Sequence, residues 1–154
     1  MSIKIRSKVK LHHPILLAAW PGMGNVALGA IHYLRKKLAM AEFAKIDVTQ
    51  FYHPEGIVVV DGLGKLPSSP KSIFYNLIEP PIIVFENEIQ IGGEEGMKLI
   101  KLVLDFAREI GTVQIITAAA FPTTSSYKDP SQIFGVAGSI SGMEQLRRLN
   151  IQIM

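Results

Sequence analysis

The stretch AAWPGMGNVALGA, residues 18–30, decides how the chain is read. It joins a short apolar run, Ile15 to Trp20, to a segment whose apolar residues recur at helical spacing. Ala27, Ala30, Ile31, Leu34, Leu38 and Ala41 share one face of that segment, which predicts a strand buried on both sides followed by an amphipathic helix. Between the two stand Gly22, Met23, Gly24 and Asn25. Glycine tolerates the dihedrals of a tight turn, and Asn25 is placed to cap the helix. The same residues fit the relaxed pattern G-x-G-x-x-A of a dinucleotide loop, with Asp47 about 20 residues later where a ribose-binding acid would sit. Without a following Gly-Lys-Ser/Thr, a P-loop is excluded. The loop is therefore either a structural turn or an anion site.

Outward from this stretch, strands and helices alternate. Phe43 to Val48 reads as a strand, and Val58-Val59-Val60 followed by Asp61-Gly62 reads as a hairpin, within an excursion at about 57–76. Ile82 to Phe85 is another buried run. Gly92-Gly93 breaks the chain, Glu94-Glu95 open a helix that runs to about Ile110, and Gly111 ends it. Val113 to Ala118 is a further strand, and Gln132 to Val136 reads as one more. Ser141 and Glu144 have the spacing of a capping box at the start of a helix to Leu149, and the final NIQIM reads as a strand just begun. This order predicts one α/β domain over residues 1–154, a three-layer α/β/α sandwich with a mainly parallel sheet and a β-hairpin excursion.

The chain has 154 residues, 48% hydrophobic and 19% charged, with a net charge of +3 and no cysteine. Absence of cysteine excludes disulfides, thiolate nucleophiles and zinc–thiolate sites. Arg35-Lys36-Lys37 is the longest basic cluster and reads as a solvated helix end, so no nucleic-acid partner is expected. No apolar run reaches the length of a membrane span, and the amino terminus lacks the apolar core of a signal peptide, so a cytoplasmic protein is expected.

Candidate chemistry is sparse. Glu86 and Glu88, at i and i+2 beyond a buried strand, could face one side as a polar site together with Asp47. His12, His13, His32 and His53 have no metal-ligand spacing and read as surface residues. Ser125 and Ser126 lack a nucleophile-elbow context. No catalytic residue, metal or cofactor is expected. The helix at 95–110 is apolar around most of its circumference, which predicts burial on more than one side, either in a contact to a second subunit through Leu99, Leu102 and Phe106 or under another part of the same chain.

WPGMGNVALGAIHYLRKKL resembles the opening strand–loop–helix of the proteasome assembly chaperone 2 family. FAKIDVTQFYHP, VVVDGLGKLPSSPKSIFY, PIIVFENEIQ, LVLDFAREIGTVQIITAAAF and IFGVAGSISGMEQLRRLNIQI follow in that family's order. The resemblance implies an α/β/α fold like that of purine nucleoside phosphorylases and a non-enzymatic homo-oligomer acting through protein contacts, with a proteasome-related partner. Members of the family usually continue beyond the length of this chain, which therefore looks like the first two-thirds of one. Archaeal proteasome-binding relatives end in a hydrophobic-Tyr-x tail, whereas this sequence ends in Gln152-Ile153-Met154. The alternative expectation is a nucleotide or phosphorylated metabolite held at Gly22 to Asn25.

Overall fold

The computed structural model describes residues 1–122 and 130–154 and forms two compact units, Met1–Phe121 and Pro122–Met154. The first unit is built on a six-stranded sheet. In chain order its elements are β1 (Ile3–Ile5), β2 (Ile15–Ala19), α1 (Val26–Lys37), β3 (Ala41–Ile46), the ribbon β4 (Val58–Val60) and β5 (Leu63–Lys65), β6 (Ser72–Leu77), β7 (Ile82–Asn87), α2 (Gly93–Glu109) and β8 (Gln114–Thr117). The strand order is β1-β3-β6-β7-β2-β8.

Alternation along the strands sorts side chains to the two faces. On β7, Ile83 and Phe85 face α2, while Val84 joins the cluster under α1. Ala27 and Ile31 of α1 pack on Ala19, Ile73, Tyr75 and Val84. Leu99, Val103, Phe106 and Ala107 of α2 pack on Leu16, Phe43, Phe74, Ile83 and Phe85. With one helix on each face, the unit has the predicted three-layer α/β/α arrangement.

The parallel character of the sheet belongs to β7-β2-β8. The remaining pairings, β1 with β3, β3 with β6 and β6 with β7, are antiparallel. The reason lies in the connections: β6 and β7 are joined by the four residues 78–81, too few for a crossover helix, so β7 must run back beside β6. The excursion is correspondingly shorter than 57–76. Only β4 and β5 form the separate ribbon, closed by Asp61 and Gly62 with φ of 52° and 78°, whereas Ser72–Leu77 is a central strand of the main sheet.

The wide apolar girth of α2 also has a local explanation. Leu99 and Phe106 are 2% and 5% exposed in the chain's own core, and Leu102 is half-buried against it. Leu99 and Phe106 therefore cannot form a subunit contact, and the outward apolar residues of this helix are Met97 and Ile100.

The second unit contains β9 (Phe134–Gly135), α3 (Ile140–Arg148) and β10 (Gln152–Ile153), with β9 and β10 parallel. The cap of α3 is Ser139 and not Ser141. Ser139 has extended dihedrals, and its hydroxyl accepts the Gly142 N–H at 3.1 Å. Ser125 and Ser126 lie outside the described residues.

Candidate functional site

Ligands of open α/β sheets gather at the carboxyl ends of parallel strands, here the end of β2, β7 and β8. Chain direction reverses there through the loop at Pro21 to Asn25. Gly22 is extended, and Met23–Asn25 form one 3₁₀ turn. Gly24 (φ 62°) and Asn25 (φ 49°) are successive left-handed residues. Glycine adopts that conformation without steric cost, and asparagine tolerates it better than most residues.

Asn25 does not cap α1 with its side chain. Its Oδ1 accepts the Gly22 N–H at 3.3 Å, while its own N–H donates to the Gly22 carbonyl at 2.9 Å. The two residues close the turn on themselves. Two N–H groups that a phosphate would need are thereby engaged within the loop.

Beside the turn lies a cavity of about 160 Å³, lined by Trp20, Pro21, Met23, Val26 and Ala27 with Thr117 to Ala120 across from them. The lining is mostly apolar, and the volume falls below the ~300–1,000 Å³ of typical small-molecule sites. Such a space suits one compact apolar group. Trp20 is held at its rim by an edge-on contact with Phe85, centroid to centroid 5.4 Å.

Asp47 is far from this loop. The strand that leads to it, β3, is separated from β2 by β6 and β7, three strand spacings or roughly 14 Å. β3, the strand after α1, does not pair beside β2, so the dinucleotide geometry that would bring an acid at Asp47 to Gly22 and Gly24 is not formed. Asp47 instead accepts the Thr49 N–H at 3.2 Å and lies 3.5 Å from Lys4 Nζ. Hydrogen bonds from Thr49, with Lys4 adding to them, hold its carboxyl below the usual carboxylate range.

Glu86 and Glu88 engage different partners. Glu88 Oε2 accepts the Lys71 N–H, and the Glu88 N–H donates to the Lys71 carbonyl, both at 2.8 Å, extending the β6–β7 pairing past its end. Glu86 is buried beneath α1. Its Oε2 accepts from Arg35 Nε at 2.9 Å, and its Oε1 lies 3.2 Å from His32 Nδ1. Arg35 also stacks over Tyr75, with Cζ 4.4 Å from the ring centroid. Among the described residues, no three His, Asp or Glu side chains come together as a metal site.

Reading the sequence missed this clamp of His32, Arg35, Tyr75 and Glu86. The charge pattern of α1 puts His32 and Arg35 on its solvated side, and Glu86 is distant in sequence. The spacing of His32 and Arg35 at i, i+3 was the available signal: such residues share a helix face, and a buried acid needs a cation.

The clamp ties α1 to the sheet. Glu86→Ala is expected to lower stability by about 2 kcal/mol. Breaking a fully buried pair costs ~3–5 kcal/mol, and Arg35 keeps about a fifth of its side chain in solvent, which softens the loss. Urea unfolding of the two proteins measures it, and Glu86→Gln should recover part of the difference by retaining an acceptor.

Burial pushes the Tyr75 hydroxyl above its ordinary pKa, reinforced by Glu86, Glu42 and Glu88 and opposed by Arg35. Its neutral form is thus favoured by folding, and the associated stability is complete below pH ~10 and falls as pH rises, because the unfolded chain ionises first. Unfolding curves between pH 9 and 11 should fall less steeply for Tyr75→Phe than for the parent protein.

A profile of the PAC2 family matches residues 16–152. Among curated proteins none matches the chain. Solved structures share its fold. Pyrococcus furiosus PbaB, an archaeal proteasome activator, is 20% identical with a TM-score of 0.75, over 99% of this chain and 66% of its own. Pyrococcus furiosus PbaA, an archaeal homolog of proteasome-assembly chaperone, is 19% identical with a TM-score of 0.74, over 100% of this chain and 60% of its own. A PAC2 family protein from Streptomyces avermitilis is 18% identical with a TM-score of 0.69, over 87% and 61%. The chain spans about two thirds or less of the length of each.

Proposed function

The chain belongs to the PAC2 family, and on that premise we propose that it is a non-enzymatic, homo-oligomeric protein of the proteasome-assembly-chaperone kind, working in the cytoplasm through protein contacts. The observation that carries this reading is the apolar side chain held out on regular elements. Met23, Val26 and Tyr33 are more than half exposed at the start and outer side of α1, and the β4–β5 ribbon is exposed throughout. Where such side chains gather into a patch, they mark protein contacts in soluble domains. The relatives described as a proteasome activator and a proteasome-assembly chaperone homolog point to the class of partner. No described helix is long and apolar enough to cross a membrane.

Native mass spectrometry of the purified protein, followed by co-elution with proteasome particles of the same organism, tests the proposal. A defined oligomer of bare subunit mass that co-elutes supports it. A monomer carrying extra mass of nucleotide size overturns it.

The alternative, binding of a nucleotide or phosphorylated metabolite at Gly22 to Asn25, has against it a small apolar cavity and a turn whose N–H groups are already engaged. A ligand at 100 times its Kd stabilises by about 2.7 kcal/mol, enough to raise the melting temperature measurably. A flat response across a nucleotide panel disposes of this reading.

A further inference from the structure

Residues 53–66 are exposed without a break, and they include both strands of the β4–β5 ribbon. Two strands alone form a marginal ribbon in water, and a segment with no buried side chain opens at little free-energy cost. The tip of the ribbon is Asp61-Gly62, with φ of 52° and 78°. Positive φ at both central residues marks a type I′ turn, closed by the Leu63 N–H on the Val60 carbonyl.

The same dipeptide carries a second chemistry. Only Cβ, Cα and the main-chain carbonyl carbon lie between the Asp61 carboxyl carbon and the Gly62 nitrogen, so the two can close a five-membered ring. Glycine puts no side chain beside that nitrogen, and a Cβ built there would meet nothing within 4 Å. Asp61 is exposed, and among the described residues its carboxyl has no hydrogen-bond or ion-pair partner. No other Asp or Asn combines these features. Asn25, Asp47 and Asn150 precede the β-branched Val26, Val48 and Ile151, and Asp129 precedes Pro130, which has no N–H. Asp105 sits within α2, ion-paired with Lys101 and Arg108, and Asn76 and Asn87 are buried.

We propose that Asp61-Gly62 is a site of spontaneous covalent rearrangement, converting from aspartate to isoaspartate through a cyclic imide. The Gly62 nitrogen attacks the protonated Asp61 carboxyl. A C–N bond forms, a C–O bond breaks, and the amide proton leaves with the hydroxyl as water. Water then opens the ring at either carbonyl. Attack at the side-chain carbonyl restores aspartate, and attack at the main-chain carbonyl leaves isoaspartate, with no net change in mass or oxidation state.

Pairing of the ribbon restrains this step. In a type I′ turn the first central residue has ψ of about +30°, which turns the Gly62 nitrogen away from the Asp61 carboxyl. Attack needs the reacting atoms ~3–3.5 Å apart, so the reaction runs from the opened ribbon. Isoaspartate routes the main chain through Cβ and adds one backbone atom to the turn. The register of Val60 with Leu63 and Val59 with Gly64 then no longer closes on two residues, and the ribbon stays open. The inference is independent of the oligomeric reading above.

The test is to incubate the full chain for several weeks in mildly acidic buffer at physiological temperature, then map its peptides by mass spectrometry. Isoaspartate is read as a separately eluting peptide of unchanged mass that Asp-N protease leaves uncut at this position and that an L-isoaspartyl methyltransferase esterifies. Asp61 should convert at least about tenfold faster than Asp47 or Asp105, within the range that misplacing reacting atoms costs. D61E, whose ring would have six members, should abolish the product even though its turn leaves the ribbon more open. L63P removes the closing N–H and should raise conversion several-fold. Equal conversion at the three aspartates, or an L63P rate no higher than the parent's, overturns the proposal.

Discussion

Phe74→Ala is expected to lower the unfolding free energy by about 4 kcal/mol and the melting temperature by ~10 °C. Phe74 is fully buried at the centre of the α2 face. Its ring centroid lies 4.5 Å from that of Phe85, 5.0 Å from Phe106 and 6.2 Å from Phe43. Those rings come from β7, α2 and β3, so one side chain joins three elements to β6. Truncation removes the ring's transfer energy and leaves a void that the neighbouring rings, tied to separate backbones, cannot collapse into. Denaturant unfolding followed by circular dichroism measures the effect. A loss under 1 kcal/mol would mean that the ring cluster is not packed as described. Tyr33→Ala, on the exposed side of α1, should change stability by less than ~0.5 kcal/mol.

Gly96→Ala should cost about 3 kcal/mol, the upper range for overpacking. Gly96 is buried in the second turn of α2, and a Cβ there would sit 2.2 Å from the carbonyl oxygen of Ile91. Two non-bonded heavy atoms cannot share that distance. The obstacle is backbone, so no rotamer change relieves it, and α2 or the segment before it must move. Gly29→Ala is the matched control. It lies within α1 with nothing within 4 Å of the added carbon, and it should stabilise by ~0.5–1 kcal/mol through helix propensity. Opposite signs at two helical glycines, read in the same unfolding assay, would separate close approach from propensity. Equal signs would contradict the packing of α2 against Ile91.

The elements themselves were largely legible in the sequence, because each is announced by local chemistry. The run Ile15 to Trp20, the glycines after it and the helix from Gly93 to Glu109 all follow from period, breakers and charge. Strand order was not legible, since pairing partners lie far apart in sequence. The four-residue link at 78–81 is the signal for an antiparallel half, hidden because Ser72–Leu77 reads as part of the hairpin excursion. The apolar girth of α2 misled for a related reason. Periodicity counts apolar residues but does not say how deep a face sits, and the sheet beneath Leu99 and Phe106 accounts for both. At the candidate site, the self-closing of Gly22 on Asn25 and the distance of Asp47 depend on conformation and topology that no spacing rule encodes. Ser139 over Ser141 is a two-residue shift of a cap, the ordinary uncertainty of helix ends.

The place of β2 in the sheet has a consequence during synthesis. β2 is the first strand of the parallel core to leave the ribosome, yet its neighbours are among the later ones: Ile15 pairs with Ile82 on one side and Gln114 on the other. Until those strands emerge, Ile15–Ala19 has neither flank covered, whereas β1, β3 and β6 can already assemble as an antiparallel trio. Long-range pairing of this kind is slow and leaves apolar strand exposed to aggregation. A nascent chain stalled before residue 82 should be bound by ribosome-associated holdases, and release from them should follow the emergence of β7 and β8.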